Sequence, residues 1–470
     1  MNNKQSTKTV IVNRQSYIVY RISSGLVLVA VLWVVVVLMA IVAVVGRKAR
    51  IDTKVSMARM ETTRCRWACR AGVEKAIGIL NEDTKESDGL TDTWSGVGGQ
   101  GSGVGDDIRY TMDDIRLEGC YFSVQVIDEA SKLNINTATK EQLLWLPNMV
   151  EEIADAIIDW RDANDTTSGM GVEGGYYENM PYRYRIRNGP FKTIRELMLV
   201  KGVTAELLFG QGSGVRGQGL VIAGPRTSIP VPGWVDYLTC YSYDKNTDAS
   251  GGTRVNVNSA NQNELESSLG IKRSQAKWIV DNRISQSNKK YESIGDLISD
   301  SSPREPTRGA SSDPNASEPL DLQTFNRIAD KITVADGQKV QGRVNVNTAS
   351  DVVLTALFGG GDTAERIAED IIAYREGLAM GMESIGEMMQ AGLVDVGSFK
   401  KAANSLTTRS DVYTVRCFAA ADRRKTMDDG RWTMDDERRA TGDGRRATVQ
   451  TEVVLDRSSN PCEVIYWYEE

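Results

Sequence analysis

The sequence predicts an α+β chain: a long N-terminal transmembrane helix, then an antiparallel sheet interrupted by a large all-helical insertion. Three observations carry this. Leu26 to Val45 is an unbroken apolar run of 20 residues. Strand-like segments occur once early and three times at the end of the chain. Between them lies a threefold repeat of helical pattern.

The apolar run comes first. At 1.5 Å per residue, a helix of that length spans about 30 Å, the thickness of the bilayer hydrocarbon. A secretory h-region is shorter and ends at a small-x-small site. Lys4, Lys8, Arg14 and Arg21 precede the run, and Arg47, Lys48 and Arg50 follow it. Flanking charge alone therefore leaves the orientation open. From Arg47 to about Leu80 helical composition continues without proline. Val55, Met60, Trp67, Ala71, Ala76 and Leu80 are spaced for one face. One helix of about 55 residues is the expectation.

The Gly-rich stretch 84–107 reads as a loop or linker. Tyr121–Ile127 reads as a strand, rich in β-branched and aromatic residues. Self-comparison then finds KLNINTATKEQLL (132–144), RVNVNSANQNELE (254–266) and RVNVNTASDVVLT (343–355). Each is followed by an amphipathic helix, IADAIIDWRD (153–162), AKWIVDNRIS (276–285) or IAEDIIAYRE (367–376), and then by FKTIREL (191–197), YESIGDL (291–297) or MESIGEM (382–388). The second Asn of each block precedes the Arg of its helix by 25, 25 and 28 residues. Thr137, Ser259 and Thr348 are the expected helix N-caps. Helical hairpins of helix-hairpin-helix or sterile-alpha-motif type follow, with the asparagines in structural capping roles rather than as ligands. Residues 210–219 and 301–319 read as linkers. Residues 413–422, 447–456 and 462–470 read as strands, with a mixed-charge loop after the first.

Composition narrows function. The net charge of -7 does not suit a chain whose main partner is a polyanion. Histidine is absent, which removes Ser-His-Asp and Cys-His nucleophiles and the commonest zinc ligand. No P-loop, G-x-G-x-x-G after a strand, H-E-x-x-H or G-x-S-x-G occurs, so an enzyme is not expected. The six cysteines form no C-x-x-C pair; they are compatible with disulfides or with buried thiols.

A basic leader, Gly25, then an apolar helix opening at Leu26 resembles a prepilin cleavage junction. Ala30 stands where most such proteins carry Glu, and Trp33 lies in LVLVAVLWVV. With MARMETTRCRWACRAGVEKAIGIL, DEASKLNINTA (128–138) and IIDWRDAND (157–165), the chain is similar to the minor pseudopilin K family of type II secretion systems. The segment GGYYENMPYRYRIRNGPFKTIRELMLVKGVT (174–204) adds to the likeness. The resemblance covers most of the chain except the charged stretch 423–446, and it departs in the long leader and the repeated N-x-N-[TS]-A block.

The resemblance implies a leader 1–25 and a membrane-spanning, extended pilin helix 26–82. It implies a pseudopilin sheet domain in two pieces, 83–127 and 406–470. The helical insertion is then 128–405, with units of about 128–210, 250–300 and 340–405. It implies inner-membrane anchoring with a periplasmic bulk and no catalysis. Its partners would be minor pseudopilins of the I and J types, the major pseudopilin, a prepilin peptidase and the inner-membrane secretion platform. Leu26 would become an N-methylated mature terminus.

Two other readings stand beside this. Helix-hairpin-helix units bind DNA through helix N-termini, and Lys272-Arg273 suits that; in a competence or pilus-type system such a chain would be a membrane-anchored DNA binder. The corresponding hairpins at Glu151-Glu152 and Asp362-Glu365 are acidic and oppose it. Asp159, Asp162, Asp165 and Glu173, around a glycine-containing loop, form a candidate oxygen-rich calcium site. The family resemblance implies calcium there too; a solvated acidic helix end is the alternative.

Overall fold

The computed structural model describes residues 24–83, 86–95, 111–117, 119–210, 232–286, 289–299, 302–304, 317–421, 427–428, 431–432 and 447–470. The chain divides into two compact units, Met1–Thr63 and Arg64–Glu470. Helix α1 (Ser24–Glu82) is 59 residues long. In the first unit its described side chains from Val27 through Met60 are exposed. Among the described residues this is the one helix long and apolar enough to cross a membrane, with mean hydropathy 3.3 over its most apolar window.

In the second unit, five antiparallel strands form a sheet: β1 (Thr111–Leu117), β2 (Cys120–Asp128), β3 (Val412–Ala421), β4 (Thr448–Asp456) and β5 (Glu463–Glu469). Their order across the sheet is the order in the chain. The insertion leaves at the end of β2 and returns at the start of β3, and these strands pair in register from Asp128–Tyr413 to Cys120–Ala421. The four expected strands are present. β1 was not expected: its DD pair breaks the alternation, and the ladder itself shifts register between Met112 and Ile115.

The last turns of α1 pack on the sheet through Cys65, Ala68, Cys69, Val73, Ala76 and Leu80, all buried. This spacing is a helical stripe, but it is not the face read from sequence. Val55, Met60 and Trp67 are exposed; Ala76 and Leu80 alone of the expected set are fully buried. The buried stripe is made of small residues because the helix lies close to the strands. At Gly72 a Cβ would sit 2.6 Å from Val124 Cγ2.

Residues 86–95, within the stretch read as linker, are packed: Trp94 is 3% exposed and meets Tyr413 edge-on at 5.0 Å. Buried Arg457, just past β4, bonds Asp83 at 2.8 Å and Asp88 at 2.6 Å. The expected linkers and the charged loop lie mostly outside the described residues.

The insertion has its own apolar core. Its first repeat carries α2 (Lys140–Leu144) and α3 (Glu151–Arg161), the second α4 (Gln262–Leu269) and α5 (Arg273–Ser285), the third α6 (Asp351–Leu357) and α7 (Gly361–Glu376). Each repeat also closes on itself through a two-residue parallel ladder: Leu133–Asn134 with Leu238–Thr239, Val255–Asn256 with Ile332–Thr333, and Val344–Asn345 with Leu406–Thr407.

The recurrence of the same Asn and Arg positions in the three copies has a hydrogen-bonding cause. In each NxN block the first Asn accepts the backbone N–H of the second, at 2.9, 2.8 and 3.0 Å. The second Asn clamps the third segment. Asn136, Asn258 and Asn347 donate to the carbonyls of Phe191, Tyr291 and Met382 and accept their N–H groups at 2.7–2.8 Å. The Arg ending each second helix caps the same turn. Arg283 donates to Val257 O and Ala260 O, and Arg375 to Val346 O and Ala349 O. Arg161 does the same to Ile135 O and Ala138 O. The expected N-caps are displaced by two residues. Thr139, Asn261 and Ser350 cap α2, α4 and α6, because the TA/SA pair belongs to the turn that the Arg holds.

Candidate functional site

Two places were singled out by the sequence. The first is the start of α1. Residues 1–23 lie outside the described residues, and Gly25 and Leu26 fall in the first helical turn. Ala30 and Trp33 follow on the exposed helix, Trp33 at 65% exposure. Ala30 offers no carboxylate.

The second is a candidate metal centre on α3. Asp155, Asp159 and Asp162 recur at i, i+4 and i+7, on one side of the helix. The loop after the helix folds back over them: Asp155 Oδ2 accepts Met170 N–H at 2.9 Å, and Asp159 Oδ1 accepts Ser168 N–H at 2.8 Å. Glycine makes this approach possible. A Cβ at Gly169 (φ +49°) would sit 2.3 Å from Asp155 Oδ2, and one at Gly171 2.0 Å from Asp159 Oδ2. Gly169 and Gly171 are therefore what lets backbone reach the carboxylates.

Asp159, Asp162 and Glu173 each bring a carboxylate oxygen within 4.8 Å of the others. Asp165 is not in this group; its carboxylate accepts from Asn188 Nδ2 at 2.8 Å. Burial, then Asp159, Asp162 and Asp165, pushes the Glu173 carboxyl up to about 7. Burial likewise raises Asp159. Asp159 Oδ2, both Glu173 oxygens and Asn188 Oδ1 are buried without a hydrogen-bond partner. Buried carboxylate oxygens left without donors are unfavourable unless a cation or water satisfies them. The donor set is all oxygen, with no nitrogen or sulfur, which fits a hard divalent cation of the calcium type.

Sequence reasoning missed Asp155, which is buried and paired with Lys140 at 2.7 Å, and Asn188. Its signal was the i, i+4 spacing to Asp159.

The DNA-binding alternative gains little from geometry. Lys272, at the hairpin before α5, lies 3.9 Å from Glu318, and Arg327 donates to Gly270 O at 3.1 Å. Helices α3 and α7 open with Glu151-Glu152 and Asp362 in their first turns, where phosphate would be repelled.

Two family models, both described as Type II secretion system (T2SS), protein K, match residues 128–209 and 344–409. These are parts of the first and third repeats; the second lies between the matches. A curated relative, the type II secretion system protein K of Pectobacterium carotovorum subsp. carotovorum, is 30% identical over 202 residues. The match covers 39% of this chain and 59% of the relative's length. A solved structure, the GspK–GspI–GspJ complex from enterotoxigenic Escherichia coli, superposes with TM-score 0.43 and 12% identity, over 90% of this chain and 99% of that one.

Proposed function

This chain belongs to the type II secretion system protein K family, and from that premise we propose that it is a membrane-anchored minor pseudopilin. One observation carries the reading. A single helix presents an exposed apolar half, Val27 to Val45, and a later stretch whose small residues are buried in an antiparallel sheet. That division suits a subunit which holds a filament through its first half and displays a folded domain with its second. The role is structural and involves no catalysis.

The finer reading is that residues 1–25 are a leader removed by a prepilin peptidase, and that the bulk of the chain is periplasmic. Residues 83–127 with 406–470 form the sheet domain, and 128–405 the insertion. In pilin-like filaments a fifth-position Glu is held to pair with a neighbour's terminal amine; an unpaired charge in hydrocarbon is strongly unfavourable. Ala30 lacks that carboxylate, and the insertion is bulky for a repeating shaft. Both features suit a tip subunit that starts assembly with minor pseudopilins of the I and J types, on top of the major pseudopilin and the inner-membrane platform. Calcium at Asp159, Asp162 and Glu173, with Asp165 nearby, would satisfy the orphaned oxygens and tie the loop to α3.

The test is immunogold labelling of overexpressed filaments, with co-purification of the I and J types. Label at one end supports the tip; label spread along the shaft overturns it.

A further inference from the structure

Cys65 and Cys120 are far apart in sequence and meet in the core between α1 and the sheet. Cys65 stands on the helix stripe, and Cys120 is the first residue of β2, directly after the turn at Gly119. Their Sγ atoms are 3.4 Å apart, and the residues are 0% and 1% exposed. We propose that this pair is a disulfide site that fastens the Arg64–Glu82 part of α1 to β2. The proposal rests on the exported location argued above, since an oxidising compartment is where such bonds persist.

The geometry is close to that of a bond. A disulfide needs its sulfurs at roughly 2.05 Å, so a side-chain adjustment of little more than 1 Å suffices. Of the remaining cysteines, Cys69 directs its thiol at Val449 O, 3.5 Å away, and at Cys417 O, 3.7 Å away, with the Cys417 thiol as a hydrogen-bond neighbour, and Cys462 points at Asn81 Oδ1, 3.2 Å away. Cys240 lies in the insertion, away from the helix–sheet core.

The oxidant is a protein dithiol oxidase, a class that carries a reducible disulfide of its own. One thiolate of the pair attacks that disulfide, giving a mixed disulfide and releasing one oxidase thiol. The second thiolate displaces the other oxidase sulfur. The Cys65–Cys120 bond forms, and the two electrons and two protons lost by the pair appear as the two thiols of the reduced oxidase. Because both thiols are enclosed once the helix has docked, exchange precedes docking, and the finished bond is shielded from reductant.

The test takes the full chain, extracted from membranes in detergent without reductant. Thiols are alkylated, disulfides are then reduced, and the newly exposed thiols take a second label before peptide mapping. The expected result is the second label on Cys65 and Cys120, a linked peptide before reduction, and loss of both in Cys120→Ser. The Tm of the parent should fall by several degrees on unfolding, reduction and refolding, while Cys120→Ser should be indifferent to reductant. A second arm refolds reduced, unfolded chain in a mixed glutathione buffer. Linkage on refolding but not in membrane extracts overturns the exported location and upholds the site. First-label Cys65 and Cys120 in both arms, or Cys65 linked to Cys69, overturns the site.

Discussion

Thr348 donates its hydroxyl to Asp128 Oδ2 at 2.6 Å, so the third repeat is bonded to the last residue of β2. Asn345 Nδ2 reaches the same oxygen at 2.9 Å. Burial, opposed by these hydrogen bonds and aided by Asp88, pushes Asp128 up to about 6. The folded state therefore holds a proton that the unfolded chain releases near pH 4. The stability this supplies is present at low pH and is lost as pH rises from about 4 to about 6. Asp83, also raised to about 6, chiefly by burial, acts in the same direction. Thr348→Val should reduce stability by about 1–3 kcal/mol at pH 8, where the carboxylate is charged, and by less at pH 5. Denaturant titrations of the full chain in detergent at the two pH values check this; equal losses would contradict it.

Asn347 is the most buried of the three clamps and holds both polar groups of Met382. Asn347→Ala leaves a buried N–H and C=O unpaired, at about 1–3 kcal/mol each. Asn258→Ala, in a half-buried setting that water can reach, should destabilise less. Paired unfolding curves decide; the reverse ranking would show that burial does not set the strength of the clamp.

Gly360 has φ +75°, and a Cβ there would overlap Trp145 of the first repeat at 1.6 Å. Gly360→Ala should lower the Tm by several degrees. Trp145→Ala in the same chain should recover part of the loss, leaving the backbone strain of about 1–2 kcal/mol. A double-mutant cycle with no coupling energy would mean that the two residues do not meet in solution.

Calcium should raise the Tm of the parent, and a chelator should reverse the rise. Asp159→Asn should abolish the response. Glu173 is proton-bound below about 7, so protons compete with the cation, and affinity should weaken as pH falls through 7. Calorimetric titrations at pH 6 and pH 8 measure it. Stronger binding at pH 6 would exclude Glu173 as a ligand.

Mass spectrometry of membrane-extracted protein should find a mature chain that begins at Leu26 and carries one N-methyl group. Gly25→Val should leave the leader attached. A cut after Ala43 would refute the junction.

Much of this architecture was legible because local signals and tertiary contacts agree. β-branched alternation marked β2, β3, β4 and β5, and N-x-N-[TS]-A marked each repeat. What escaped reading was set by contacts distant in sequence. The stripe Cys65, Ala68, Cys69, Gly72 carries too little apolar bulk to stand out, yet small residues are what a close helix–sheet approach requires. The closing strands Leu238–Thr239, Ile332–Thr333 and Leu406–Thr407 are two residues long, and no periodicity is visible over two residues. Thr137, Ser259 and Thr348 looked like caps because a hydroxyl before a helix usually is one; here the turn held by the Arg moves the cap to Thr139, Asn261 and Ser350. At the candidate metal centre Asp159, Asp162 and Glu173 were visible, while the value of Gly169 and Gly171 depends on where the loop folds back.

Asp128 and Tyr413 face each other across one strand pair, so to the sheet the entire insertion is a hairpin loop. The entropy of closing a loop grows only with the logarithm of its length. Each repeat, moreover, begins and ends on adjacent strands of its own ladder. Copy number is thus a quantity that β2 and β3 do not register. Gaining or losing a repeat such as 254–333 changes the reach of the appendage and keeps the Asp128–Tyr413 register, while the 2.6 Å ion pair of Asp330 with Arg409, three residues before β3, is the tie to the joint that such a change breaks.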